Sequence, residues 1–114
     1  MLAHYIEIVT KEMESVCAAY EAMHGVQFAE PDPVLGNART AALPGGGSIG
    51  VRAPMHEEEE ATIRPYWLVD DLQAAVQRAE ESGAVIALPS MVIEGRGTIA
   101  IYIQGGVQHG LWEL

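Results

Sequence analysis

The chain carries a single cysteine, Cys17, in 114 residues. Without a second thiol, neither an internal disulfide nor a thiolate zinc cluster can form, so redox chemistry is not its theme. Positive charge is scarce too: 6 Lys and Arg stand against 16 Asp and Glu, for a formal net charge of -10. A surface of that sign repels phosphate backbones and anionic lipid, which argues against nucleic-acid and membrane partners. It either attracts a cationic ligand or does no more than keep the protein soluble. Apolar stretches are broken by charge or glycine well before the ~18 residues a membrane span requires. Met1 to Thr10 also lacks a basic segment followed by an apolar one, and together these features predict a cytoplasmic protein. Ser15, Ser48, Ser82 and Ser90 have no nucleophile elbow around them, and Gly45 to Gly47 fall in a hairpin rather than between a strand and a helix, so no phosphate cradle is expected. Cys17 lies on the apolar stripe of a predicted helix, where a thiol is inert.

What is present is a repeat. At 49% hydrophobic, the chain has apolar material for one sizeable core and is expected to form one domain over residues 1–114. Tyr5-Ile-Glu-Ile-Val9 alternates as a strand does, and Met13, Val16, Cys17 and Tyr20 follow at helical spacing until His24-Gly25 stops the helix. Val26 to Phe28 reads as the next strand. Pro31 and Pro33 force a loop, and two more strands, Asn37 to Leu43 and Ser48 to Arg52, flank the turn Pro44-Gly-Gly-Gly47. The order is βαβββ. It recurs after the acidic run His56-Glu-Glu-Glu-Glu60, which is either a solvated linker, the preferred reading, or a site for a cation or a basic partner. Tyr66 to Val69 is the new opening strand, and Leu72, Ala75, Val76 and Ala79 are the new helical stripe, stopped at Ser82-Gly83. Val85 to Leu88, Thr98 to Gln104 and Gln108 to Leu114 are the new closing strands. The predicted fold is therefore α+β, built from two tandem βαβββ modules at about 1–54 and 63–114, with an acidic linker at about 55–62. Both helices are entered through acids, Glu12 and Asp71, which suit the positive end of a helix dipole.

The second module resembles the glyoxalase and bleomycin-resistance branch of the vicinal oxygen chelate superfamily. Four segments carry the resemblance: Pro65-Tyr-Trp-Leu-Val-Asp-Asp-Leu72, Ala79 to Val85, Gly95-Arg-Gly97, and Gly106-Val-Gln-His-Gly-Leu-Trp-Glu113. The family's Asp-Pro turn is replaced here by Ile103-Gln104, leaving Gly105-Gly106 to make the bend. The resemblance implies a curved sheet forming a cup for a small ligand, and homodimers that cover exposed sheet edges across chains. It also implies, in metal-using members, His or Gln on the opening strands and Glu on the closing ones. Here the opening positions are Tyr5 and Arg64, and the closing position of the second module is Gly110. None is a good metal ligand, so no metal and no cofactor is expected. His24 and His56 lie at a helix end and beside the linker, while alternation sends His4 and His109 to the opposite sheet face, so structural roles are the simpler account of all four.

On a strand, alternate residues share a face, which groups Tyr5 with Glu7 and Arg64 with Tyr66 and Leu68, and adds Arg52, Gln108 and Trp112 from the closing strands. The ligand-binding candidates are thus Tyr5, Glu7, Arg52, Arg64, Tyr66, Gln108 and Trp112. Arg52 or Arg64 could hold a carboxylate or phosphate while the aromatics stack on an apolar body; equally, Arg64 and Glu7 could neutralise each other beneath packed rings. Two functions stay open. One is a metal-independent binding protein for a small organic molecule; the alternative is a lyase, isomerase or dioxygenase of this superfamily, with Glu7 as general base or with an atypical metal site.

Overall fold

The computed structural model describes all 114 residues. In chain order the elements are β1 (Ala3–Val9), α1 (Met13–His24), β2 (Arg39–Ala42), β3 (Ser48–Arg52), β4 (Thr62–Leu68), α2 (Leu72–Glu81), β5 (Val85–Ile93), β6 (Gly97–Gln104) and β7 (Val107–Glu113), with a short 3-10 turn at Pro33–Leu35. The class is α+β, as expected. The chain divides into two compact units, Tyr5–Ile63 and Arg64–Leu114, the latter including Met1–His4.

In the Tyr5–Ile63 unit the strand order is β2-β3-β1, with β1 parallel to β3 and β2 antiparallel to it. The alternation of β1 does what its sequence dictates: Ile6 and Ile8 turn to α1 and join a core of Cys17, Phe28, Ala41, Ile49 and Val51. Tyr5 and Glu7 are left on the other face. Cys17 is fully buried, and that burial raises its thiol pKa. Gly25 ends α1 in the left-handed conformation, its N–H bonded to the Glu21 carbonyl.

Val26 to Phe28 does not form the expected strand. At its end, side chains bond the backbone instead of a ladder: the Phe28 N–H donates to Glu21 Oε2 at 3.0 Å, while Arg39 donates to the Phe28 and Ala29 carbonyls at 3.2 and 2.9 Å. The side chain of Phe28 is still buried, so the apolar residue that suggested a strand serves the core from an irregular segment. The unit therefore has three strands where the pattern suggested four.

The unit of Arg64–Leu114 has all four, ordered β4-β7-β6-β5, with β4 parallel to β7 and the rest antiparallel. Its core joins Leu72 and Ala75 of α2 to Ala100 and Leu111 of the sheet, with Trp67, Val69, Val76 and Tyr102 around them. The helix entries differ between the units. Asp71 caps α2 by accepting from the Ala74 N–H at 3.1 Å, whereas Glu12 makes no side-chain cap on α1. Asp is among the residues whose short side chain reaches back to the first-turn amides, and Glu is not. β5 runs to Ile93, beyond the expected Leu88, through two irregularities in its pairing with β6.

Candidate functional site

In the Tyr5–Ile63 unit the polar centre is Arg52, at the end of β3. Its Nε donates to Glu7 Oε2 at 2.8 Å, and Nη1 and Nη2 grip the two oxygens of Glu59 at 2.9 and 2.7 Å. Nη1 also donates to the Ala53 carbonyl at 3.2 Å. Arg52 is only 4% exposed. Planar fork-to-carboxylate bonds of this kind are the strong ones, because both partners are charged and the geometry is fixed. Glu59's hydrogen bonds hold the guanidinium pKa above its ordinary value, burial works against them, and Glu7 adds to the rise. The sequence grouped Glu7 with Arg52, and the structure joins them. It gave no hint of Glu59, which the pattern placed in a solvated run. Glu57, Glu58 and Glu60 are indeed exposed, but Glu59 is turned inward. The available signal was proximity: an arginine at a buried strand end followed within eight residues by four acids.

In the other unit the corresponding centre is aromatic. Arg64 Nη1 donates to Gln108 Oε1, and its guanidinium carbon lies 5.9 Å from the centroid of the Tyr66 ring. The Tyr66 and Trp112 rings meet edge-on, with centroids 5.8 Å apart at 84°. The Trp112 indole N–H donates to the Arg96 carbonyl at 3.0 Å. Arg64, Tyr66 and Trp112 are buried and Gln108 is exposed, so the four candidates of this unit form a connected group with one member at the surface.

The histidines fall in different settings. His24 ends α1 against Tyr20, and His109 stacks on Tyr102 at 5.0 Å. His4 departs from expectation, since its ring meets that of Trp112 at 5.0 Å. Alternation fixes parity along one strand only; register and twist decide which neighbours meet across strands.

The positions from which metal ligands would come can be tested on backbone geometry. Gly110 lies opposite Tyr66, and in the same parallel register Gly50 lies opposite Glu7. A Cβ at Gly110 would stand 2.2 Å from Tyr66 Cδ2, and one at Gly50 would stand 1.7 Å from the Tyr5 hydroxyl oxygen. In each unit a tyrosine ring thus fills the space a closing-strand ligand would need. Neither unit gathers three or more His, Cys, Asp or Glu side chains in a cluster fit for a metal ion. These residues do not fit a divalent ion.

No protein-family model and no curated protein matches this chain. Solved structures do. A hypothetical protein, BH1468, of Bacillus halodurans C-125 superimposes with a TM-score of 0.74 at 18% identity, covering 99% of this chain and 94% of that one. The methylmalonyl-CoA epimerase of Mycobacterium tuberculosis gives 0.73 at 20% identity, over 99% and 92%. A Streptomyces coelicolor methylmalonyl-CoA epimerase variant in complex with 2-nitronate-propionyl-CoA gives 0.65 at 16%, over 99% and 94%. The chain has the vicinal oxygen chelate fold. At these identities the likeness is one of fold. Within that fold, this chain sets Gly50 beneath the Tyr5 ring and Gly110 beneath the Tyr66 ring. No helix is long and apolar enough to cross a membrane.

Proposed function

We propose that this vicinal oxygen chelate domain is a metal-independent binding protein of the glyoxalase and bleomycin-resistance type. In this reading it holds a small organic molecule on the face of Arg64, Tyr66, Gln108 and Trp112, and Tyr5, Glu7 and Arg52 make the equivalent face of the first module. The observation that carries metal independence is the pair of glycines, each lying under a tyrosine ring that leaves no room for a ligating side chain. Ligand binding is supported by the mixture on the second face. A guanidinium supplies a charged anchor, two rings supply apolar area, and exposed Gln108 marks the way in.

Metal analysis combined with ligand screening tests both halves. The purified protein should carry no stoichiometric divalent ion, and a chelator should leave its melting temperature unchanged. A compound found by thermal shift should bind Arg64→Ala more weakly by about 1.5–3 kcal/mol, the worth of a charge-assisted contact. A tightly held ion at one per chain, lost to chelator with a fall in melting temperature, would sink metal independence. Unfolding of Arg64→Ala, with affinity per folded molecule unchanged, would turn Arg64 into a structural residue.

The similarity to methylmalonyl-CoA epimerases favours a second reading, an enzyme in which Glu7 takes a proton from a carbon acid. Incubation with methylmalonyl-CoA in heavy water separates the two. Solvent deuterium entering the substrate above the blank, and lost in Glu7→Gln, would establish the enzyme; no incorporation supports the binding protein.

A homodimer is proposed through β5. This edge strand has no charged residue and exposes Val85, Met91 and Val92. Elsewhere two copies at -10 each repel. Sedimentation showing a monomer at micromolar concentration excludes it.

A further inference from the structure

Arg52 carries more negative charge than it needs. Glu7, fixed on the sheet, already neutralises it, yet Glu59 adds a second carboxylate by gripping both terminal nitrogens. The two acids reach it in different ways. Glu7 belongs to β1, whose backbone is locked in register with β3. Glu59 is delivered by the segment joining β3 to β4, where Ala53, Met55, His56, Glu57, Glu58, Glu60 and Ala61 are all exposed. That segment is folded around the same carboxylate, since the Met55 N–H donates to Glu59 Oε1 at 2.7 Å and the Glu59 N–H to the His56 carbonyl at 3.1 Å. Beside Glu59 opens a cavity of about 410 Å³, lined in part by Thr10, Lys11, Glu12, Pro54, Glu57 and Glu60.

We propose that Arg52 and this cavity form a binding site for a small amino acid, and that Glu59 is an internal stand-in for the ligand's carboxylate. The forked contact that Glu59 makes is the one an external carboxylate makes with a guanidinium. The cavity gives the rest of the molecule a place to lie. Its other walls set the ligand class. Glu12, Glu57 and Glu60 outnumber Lys11, so a dianion is repelled, while a zwitterion can set its carboxylate on Arg52 and its ammonium toward the glutamates. Because Glu59 is tethered a few residues from Arg52, it competes at high effective concentration, and an external acid must displace it. The segment is therefore a gate that opens by exchanging one carboxylate for another. This site shares no residue with the face of Arg64, Tyr66, Gln108 and Trp112.

The test is chemical rescue of Glu59→Ala with glycine as probe. Glu59 lies on an irregular surface segment, so the variant is expected to fold, with a lowered melting temperature. Glycine should restore that temperature saturably and shift the Arg52 Nη–H resonances, the donors that Glu59 otherwise takes, in a heteronuclear NMR spectrum. It should bind the variant about tenfold more tightly than the natural protein, in which Glu59 occupies the fork. Acetate, lacking the ammonium, should bind the variant more weakly than glycine does. Glu58→Ala, which alters an exposed neighbour, should behave as the natural protein. The proposal is overturned if glycine leaves the Arg52 resonances of Glu59→Ala unmoved, or if both proteins respond alike. Acetate binding as well as glycine would remove the role given to the glutamates and so overturn the amino-acid assignment. Should Glu59→Ala fail to fold, Glu59→Gln, whose neutral amide competes less strongly for the guanidinium, should change the readings in the same direction by a smaller amount. None of these outcomes depends on what binds at Arg64.

Discussion

At equivalent places in its two modules the protein holds opposite chemistry. Glu7 of β1 lies opposite Gly50, and two residues further on Val9 lies opposite Arg52. Tyr66 of β4 lies opposite Gly110, and two residues on Leu68 lies opposite Trp112. The Glu7–Arg52 ion pair of one unit is thus matched, slot for slot, by the Tyr66–Trp112 ring pair of the other. What the repeat preserves is a parallel strand pair with a glycine at its centre; the side chains that fill the space are free to differ. The comparison also bears on why the Tyr5–Ile63 unit draws a charged side chain onto its pair from outside the sheet. A ring pair is content with apolar surroundings and a carbonyl for the indole N–H, whereas a buried guanidinium has five donors to satisfy and draws in Glu59 and the Ala53 carbonyl.

The difference predicts unequal responses to mutation. The largest should come from Arg52→Met, which removes the guanidinium that Glu7 and Glu59 share. Breaking a buried pair from one side costs about 3–5 kcal/mol, a large part of the ~5–15 kcal/mol that holds such a domain together. Urea unfolding measures it, and a loss below about 1 kcal/mol would mean that Glu7 is solvated well enough without Arg52.

Next come the glycines. Gly110→Ala drives a methyl into the inner atoms of the Tyr66 ring, close to its own backbone, while Gly50→Ala meets the hydroxyl end of Tyr5, which can swing aside. Overpacking of this sort costs about 1–3 kcal/mol, so Gly110→Ala should lower the melting temperature more than Gly50→Ala. Equal losses would mean that Tyr5 is as firmly fixed as Tyr66.

A smaller effect is expected at the rings. A double-mutant cycle with Tyr66→Leu and Trp112→Leu should give a coupling of about 0.5–1.5 kcal/mol, the usual worth of an edge-on pair beyond its area. Zero coupling would reduce the pair to two separate apolar side chains. At the bottom of the scale, Glu58→Gln should change stability by less than about 0.5 kcal/mol, because Glu58 is exposed. A greater loss would show that the whole acidic run, and not Glu59 alone, braces Arg52.

Much of the scaffold was legible beforehand. The starts of both helices at Met13 and Leu72, the strand Ser48–Arg52 and the turn after Leu43 follow from periodicity and glycine placement. So does the split of β1 into a helix-facing and an open side. Val26 to Phe28 was misread because a buried aromatic among β-formers looks the same whether its backbone is bonded to a strand or to Glu21 and Arg39. Side chains that meet were grouped correctly where strand alternation governed them, as Glu7 with Arg52 and Tyr66 with Trp112. Glu59 was out of reach of that rule because its segment has no period.

By itself, the sequence determined the class of fold, the repeat and the two helix stripes, since each depends on residue type and local spacing alone. Tertiary structure decided the rest: that Arg52 is shared by a sheet carboxylate and a loop carboxylate, that tyrosine rings cover Gly50 and Gly110, and that His4 meets Trp112. Those contacts join residues up to 108 positions apart. They are selected by strand register and by the desolvation of buried charge, neither of which exists until the chain has folded.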